Sequence, residues 1–359
     1  MKKLYRSVKG IGVGFLDWCE LGLGGGFYRA QLNHELSKHY RQQSLVMPKS
    51  FKAEVKAYWK PYTTRFDMRW QYYFSYHHGE LDPRHIPEDL HFTVFDRAFN
   101  NRNFGRGISE KNYIPLLFPE IKQPKSLARK INGIWMNADF DLINQDCVLG
   151  ICRQFEAIIL KPSIGTGGGH GIQFWQQEDG QQALKNVLDT MGKNVIVQEF
   201  MKQHKNIAQV HPTSVNTIRA VTFYFQGEVH LLSAVLRMGK DGGKMDNGCA
   251  GGISSGIRPD GRLKTMGFNL KGEKFDTHPQ GARFEDCVIP NFPQVVELVK
   301  KSHNKLLHSK LITWDIAIDE QGEPVIIEFN LFCGGIAPHQ LNNGPLFGEM
   351  TEAVLKEVF

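Results

Sequence analysis

An α+β fold with a mostly helical N-terminal region is predicted for this 359-residue chain. Three observations carry the prediction. Residues 1–108 are rich in aromatics (Trp59, Trp70, Tyr72, Tyr73, Phe74, Tyr76) and show few alternating strand patterns. Residues 155–175 read strand, glycine loop, strand. Two long hairpins, 217–237 and 311–330, each place a Gln-Gly pair between runs of β-branched and aromatic residues. Domains of roughly 100–200 residues are usual, so two or three units are expected.

Hydrophobic residues make up 41% and charged residues 22%, an ordinary globular composition. The formal charge of +6 would suit a polyanion, but Lys and Arg are dispersed, and neither zinc-finger spacing nor an RNP-like motif occurs; nucleic acid is not an expected partner, whereas a nucleotide phosphate is. Six cysteines without a CxxC pair form neither a disulfide framework nor a zinc module, which favours a reducing compartment. The N-terminus opens like a signal peptide, yet Asp17 and Glu20 interrupt the apolar run. No stretch of about 18 apolar residues follows. A cytoplasmic chain without a transmembrane segment is expected, and nothing in the sequence specifies an oligomeric state.

In chain order, 28–41 and 50–60 are predicted helices, with Ser50 as an N-cap for the second. Strands are expected at 155–162, 171–175 and 194–200, and a helix at 181–191. The hairpin 217–225/228–237 turns at Gln226-Gly227, and 241–256 reads as a long glycine-rich loop. Residues 292–307 are a predicted helix ahead of the last hairpin.

That hairpin carries the most chemistry. A turn centred between Gln321 and Gly322 sets Asp315 opposite Glu328. Alternation then puts Trp314, Ile316, Ile318, Val325, Ile327 and Phe329 on a core face, with Asp315, Ala317, Ile326, Glu328 and Asn330 on the other. Opposed carboxylates repel, so a positive charge is expected between them. Mg²⁺ suits Asp315, Glu328 and Asn330, because it takes hard oxygen ligands together with substrate phosphates. An edge hairpin with its charges in water is the plainer alternative.

In IILKPSIGTGGGHGI a strand ends on Lys161, and Gly165, Thr166, Gly167, Gly168 and Gly169 follow before Gly171. Glycines let backbone N–H groups approach phosphate oxygens, and the lysine supplies charge. The absence of GxxxxGK[ST] excludes a Walker A loop. The segment VIVQEFMKQH can present Gln198, Glu199, Phe200 and Met201 to adenine, though a core strand would look alike. Arg219 and Arg237 fall on one hairpin, and guanidinium forks match phosphate and carboxylate oxygens. Cys249 and Cys333 lack an activating His and are expected to be structural.

Taken together, Lys161 before the glycine loop, the QEF strand, Arg219 and Arg237, and Asp315…Glu328-x-Asn330 resemble the ATP-grasp ligases, most of all the sugar-transfer-associated ATP-grasp group. SVNTIR (214–219) and DNGCAGGI (246–253) are similar to that group, and SEKNYIPLLFPEIKQP (109–124) resembles the family's opening helix with Lys111 as the first ATP-binding lysine. The resemblance covers roughly residues 109–340 and implies an ATP-grasp fold, two α+β subdomains clasping ATP. Its division would be 109–197 with the glycine loop, an adenine hinge at 198–203, and 204–359 with the metal site. The cofactors implied are ATP and Mg²⁺. Lys111 and Lys161 would hold the α and β phosphates, and Arg237, with Arg219, would be catalytic. The implied activity is a carboxylate–amine ligase working through an acylphosphate, with a small-molecule carboxylate and an amine as substrates, on a sugar-derived or glycan-linked compound. A small-molecule kinase and a catalytically silent nucleotide-binding module remain open. His170 stands where a lysine or small polar residue is frequent in the loop, and residues 1–108 leave the usual preceding Rossmann-like domain in doubt.

Overall fold

The computed structural model describes residues 23–165, 169–239 and 251–359. The N-terminal region is helical: α1 (Leu23–Gln42), α2 (Lys49–Trp59), α3 (Arg69–His78) and α4 (Arg102–Ile108), with short helical turns between α3 and α4. α2 buries Phe51, Val55 and Trp59, spaced four apart on one face. Its cap differs from the sequence expectation. The helix starts at Lys49 behind Pro48, whose carbonyl accepts from Lys52 N at 2.9 Å, and Ser50 falls inside the first turn. Proline is preset for that entry, so no side-chain cap is used. Among the described residues no strand precedes Ser126.

The first sheet comprises β1 (Ser126–Ile131), β2 (Ile134–Asn137), β3 (Ala157–Pro162), β4 (Gln173–Gln176) and β5 (Val195–Glu199), ordered β2-β1-β5-β3-β4 and antiparallel throughout. Helices α5 (Gln145–Cys152) and α6 (Gly180–Thr190) belong with it. Ile158 and Leu160 of β3 and Val195 and Val197 of β5 pack against Val148 and Leu149 of α5 and Leu184 and Leu188 of α6 in one core. Ile159, Lys161 and Gln198 alternate to the opposite face. The expected opening helix over 109–124 is broken into a 3₁₀ turn, Lys111–Tyr113, and one helical turn, Ile114–Leu117. Pro115 and Pro119 prevent a longer helix.

The second sheet is seven-stranded: β6 (Thr217–Phe225), β7 (Glu228–Met238), β8 (Ile253–Ile257), β9 (Leu263–Asn269), β10 (Lys274–Phe275), β11 (Leu311–Ile318) and β12 (Pro324–Asn330), in the order β10-β9-β8-β7-β6-β11-β12. The β6–β7 turn takes positive φ at both Gln226 (50°) and Gly227 (89°), as a two-residue hairpin of matching twist requires. The loop expected over 241–256 is overturned at its end, where 253–257 pair with β7 and β9 as a strand; residues 240–250 lie outside the described residues. Helix α7 (Phe292–His303) stops four residues short of the expectation.

Both faces of this sheet are covered. On one, Phe292, Val295 and Val299 of α7 meet Ile218, Leu236, Ile312, Trp314 and Ile316. On the other, the N-terminal helices share a core with Val221, Phe223, Phe225 and Leu311 and with helices α8 (Ala337–Asn343) and α9 (Thr351–Val358). Phe223 stacks edge-on to Phe99 at 4.9 Å and packs on Phe347 at 5.2 Å. The N-terminal region is therefore built into the second sheet's core. No helix among the described residues is long and apolar enough to cross a membrane.

Candidate functional site

The last hairpin has the expected register at its far end and a different one near the turn. Asp315 pairs with Glu328, Trp314 with Phe329 and Thr313 with Asn330, but Ile316 pairs with Ile326 across a bulge. Ile326 thus joins Trp314 and Ile316 in the core, Ile327 is the extra residue and Val325 pairs with Ala317, which corrects the expected faces of these three residues. The bulge moves the turn's centre without disturbing the carboxylate pair.

On β6, Arg219 is the cross-strand neighbour of Asp315. Arg219, Asp315 and Glu328 therefore form one row across three strands. Arg219 Nε and Nη2 donate to the two Asp315 oxygens at 2.9 and 2.8 Å, and Arg237 Nη2 reaches the same carboxylate at 3.2 Å. Arg237 is held by Thr217 Oγ1, to which Nε and Nη2 donate at 3.1 and 2.7 Å. Asp315 is 2% exposed. Burial pushes its pKa up, and Arg219 and Arg237 outweigh burial, holding it well below the usual carboxylate range. At the other end of the row Lys111 Nζ lies 3.4 Å from Glu328 Oε2. The positive charge expected between the two carboxylates is supplied in this structure by Arg219 and Arg237 on one and Lys111 on the other.

Lys111 also links the two sheets. Its backbone N–H donates to Ser163 O, just past the end of β3, at 3.1 Å, while Ile114 and Phe118 behind it sit in the second sheet's core. Lys161 lies two residues before Ser163 on the face of β3 turned away from that sheet's helices. Of the glycine loop, Gly165 and Gly169 adopt φ of 69° and 74°, the left-handed region, and His170 is exposed. Thr166, Gly167 and Gly168 lie outside the described residues, as do Asp246, Asn247 and Cys249.

The expected hinge is where the chain crosses between sheets. Glu199 N–H donates to Lys125 O at 3.0 Å, Phe200 N–H to Ala157 O at 3.0 Å, and His204 N–H to Ile318 O at 2.9 Å. Gln198 is buried, whereas Glu199, Phe200 and Met201 are half-buried, and the Phe200 ring meets Phe174 edge-on at 5.9 Å.

Sequence reasoning missed the residues that fix the loop after β12. Asp96 Oδ1 accepts from Cys333 N at 2.9 Å and its Oδ2 from Arg102 Nη2 at 2.6 Å; His91 Nε2 donates to Gly334 O at 2.8 Å. A Cβ on Gly334 would collide with Thr313 Oγ1 beside Asn330, so glycine is required there. The contacts of Asp96 with Cys333 and of His91 with Gly334 span more than 230 residues and leave no local signature. Thr217 was findable, since it stands two residues before Arg219 on the same face of β6.

The donor set fits Mg²⁺. Among the described residues no three His, Cys, Asp or Glu cluster to hold a metal by themselves, and Mg²⁺ needs only one or two carboxylates beside substrate phosphates. Glu328 and Asn330 are half-buried and offer hard oxygens at the end of the row.

Among solved structures, one similar chain is an L-amino acid ligase from Bacillus licheniformis, 12% identical, with 63% of this chain and 41% of that chain covered and a TM-score of 0.34. Another is D-alanyl-alanine synthetase A from Vibrio cholerae, at 11% identity, 71% and 66% coverage and a TM-score of 0.39. A third is the ATP-grasp ligase PsnB with minimal precursor, Mg and ADP, at 11% identity, 72% and 62% coverage and a TM-score of 0.43. The chain thus spans from 41% to 66% of the length of these three. No curated protein matches. The family description "Sugar-transfer associated ATP-grasp" matches residues 143–356, more than half of the sequence, and covers both sheets from α5 onward as well as the Arg219–Asp315–Glu328 row. The chain belongs to the sugar-transfer associated ATP-grasp family.

Proposed function

We propose that this protein is an ATP- and Mg²⁺-dependent carboxylate–amine ligase acting on a sugar-derived or glycan-linked substrate. The observation that carries the reading is the charged row running from Arg219 through Asp315 and Glu328 to Lys111, because it joins the two sheets at the point where nucleotide phosphates would lie. Lys111 and Lys161 hold the α and β phosphates, and the 165–171 segment covers the β and γ phosphates. Gln198, Glu199, Phe200 and Met201 receive adenine. Glu328 and Asn330, with Asp315 behind them, hold Mg²⁺, which offsets negative charge on the transferring phosphoryl group.

A substrate carboxylate oxygen attacks the γ-phosphorus, forming an acylphosphate and releasing ADP. An amine then attacks the acyl carbon, loses a proton and expels inorganic phosphate, leaving an amide. Arg237 donates to the oxygens that gain charge in both steps, and Thr217 keeps its guanidinium oriented. Asp315 holds Arg219 and Arg237 in place, so Arg219 acts through position as well as charge.

The reading is tested by incubating the protein with Mg-ATP and a panel of acids and amines, followed by mass spectrometry. An amide product with ADP and phosphate is expected, and Glu328→Gln should reduce its formation at least about 100-fold, the size of effect seen when a group stabilising transition-state charge is removed. A stable phosphorylated product that forms without amine would replace the ligase with a kinase.

A further inference from the structure

Three side chains, the buried Ser233 and His339 and the half-buried Asn343, make a hydrogen-bond chain over the face of the second sheet that carries Arg219 and Arg237. Asn343 Nδ2 lies 3.0 Å from Ala234 O and 2.8 Å from Ser233 Oγ. A carbonyl only accepts, so this amide atom is the NH₂ group, and Ser233 Oγ accepts from it. The serine proton then goes to its other neighbour, His339 Nδ1, at 2.8 Å. A neutral imidazole whose Nδ1 accepts carries its proton on Nε2. The opposite tautomer would leave both the serine hydroxyl proton and Nε2 unpartnered. His339 is fully buried, and burial, followed by the charges of Arg219 and Arg237, pushes its pKa down to about 3, so the ring is neutral. Its Nε2 is buried and has no hydrogen-bond partner. A buried N–H without an acceptor destabilises the fold, so an acceptor brought by a bound molecule would be favourable there.

We propose that His339 Nε2–H is the recognition group for a substrate carboxylate seated beside α8 and next to the Arg219–Asp315–Arg237 cluster. Naming that carboxylate as the group to be activated rests on the ligase reading above. The donor itself fits any oxyanion, so the choice between carboxylate and phosphate follows from charge. Lys111 lies past Glu328 at the opposite end of the row and serves the more highly charged phosphates. On the His339 side, Asp315 already offsets much of the charge on Arg219 and Arg237, which suits a monoanion.

The test uses the full chain labelled with ¹⁵N-histidine and read by long-range ¹H–¹⁵N spectra, with sodium acetate and inorganic phosphate as probes. His339 is assigned by its loss in His339→Gln, or, if that variant does not fold, by its perturbation in Ser233→Ala. The expected result is a neutral Nε2–H ring from pH 8 down to pH 5.5, whose Nε2 resonance moves saturably with acetate and not with phosphate at equal concentration. Ser233→Ala should lose the tautomer preference and weaken the acetate response about tenfold. An Nδ1–H ring, an absent acetate response, or a phosphate response as strong as that to acetate would overturn the proposal. The readout needs neither nucleotide nor turnover. A negative result leaves the ligase reading standing, and failure of the ligase panel leaves a measured carboxylate site.

Discussion

The two sheets meet the cleft in opposite ways. The first has a single core on its helical side, and its other face carries Ile159, Lys161 and Gln198 toward the site. The second is covered on both faces, and in its polar strip Asp315 is buried while Arg219 and Arg237 are half-buried around it. Enclosed charges must neutralise one another, because burying an unpaired ion costs several kcal/mol. Half-open charges are free of that demand. The difference teaches that a charged residue on a sheet face is fixed by the charges of its neighbours where helices cover that face, and is not so constrained where they leave it uncovered.

Asp315→Asn should break this comparison most visibly. It leaves two half-buried guanidiniums without their counter-charge, and a loss of about 3 kcal/mol in unfolding free energy, the lower end of the cost of breaking a buried pair, is expected. Wild-type stabilisation from this group is present above pH ~4 and lost as pH falls through its depressed folded pKa, so the difference between the proteins should shrink in strong acid. Denaturant titrations at pH 7 and pH 3 measure both. A variant as stable as wild type at pH 7 would mean that the strip is not enclosed.

Lys161→Ala sharpens the contrast from the other side. The lysine is half-buried near the end of β3, on the face turned away from that sheet's core, so its removal should change stability by no more than about 1 kcal/mol. It should weaken ATP binding by about 10- to 100-fold, the range for losing a charged hydrogen bond. Calorimetric titration with ATP alongside a melt checks this. Unchanged affinity would remove Lys161 from the nucleotide site.

Elements with local signatures were legible in the sequence. The hairpin 217–225/228–237 is read from alternation and Gln226-Gly227, and Asp315 opposite Glu328 from the last hairpin's turn. The bulge at Ile327 was not, because an extra residue in an apolar run leaves alternation ambiguous to either side. The strand at 253–257 was hidden among glycines and serines, whose small side chains suit β8 only because Gly256 packs under Asn343 and Lys264. The partners of Asp315 illustrate the limit: both arginines were identified as site residues, but that they neutralise the carboxylate depends on β6 lying beside β11, an adjacency that alternation does not encode. The attachment of residues 1–108 to the second sheet was hidden for the same reason. Their grip on Cys333 and Gly334 through Asp96 and His91 is long-range.

The smallest expected effect lies where the helical region meets the second sheet, and it has the opposite sign to Asp315. Glu88 is half-buried, with Oε1 accepting from Ala337 N at 3.1 Å at the start of α8. Desolvation raises its pKa to about 7, with the Ala337 hydrogen bond and Asp89 as lesser influences. A carboxyl raised in the fold binds its proton more tightly there than in the unfolded chain. Its contribution is therefore full below about pH 4.5 and lost as pH rises through about 7. Glu88→Gln keeps the acceptor for Ala337 and removes the titration. The variant should match wild type near pH 5 and exceed it at pH 8 by on the order of 1–2 kcal/mol, because water reaching the half-buried side chain screens part of the roughly 1.4 kcal/mol that each pKa unit is worth. His85 titrates the other way, its pKa pushed down to about 3 by burial, so both proteins should weaken together as pH falls below about 6.5. Unfolding curves of the two proteins at half-unit steps from pH 5 to pH 8 give the difference directly. A constant gap across that range would show that Glu88 stays ionised in the fold, and α8 would then start on a charged cap as firm as the one Asp315 gives the arginines.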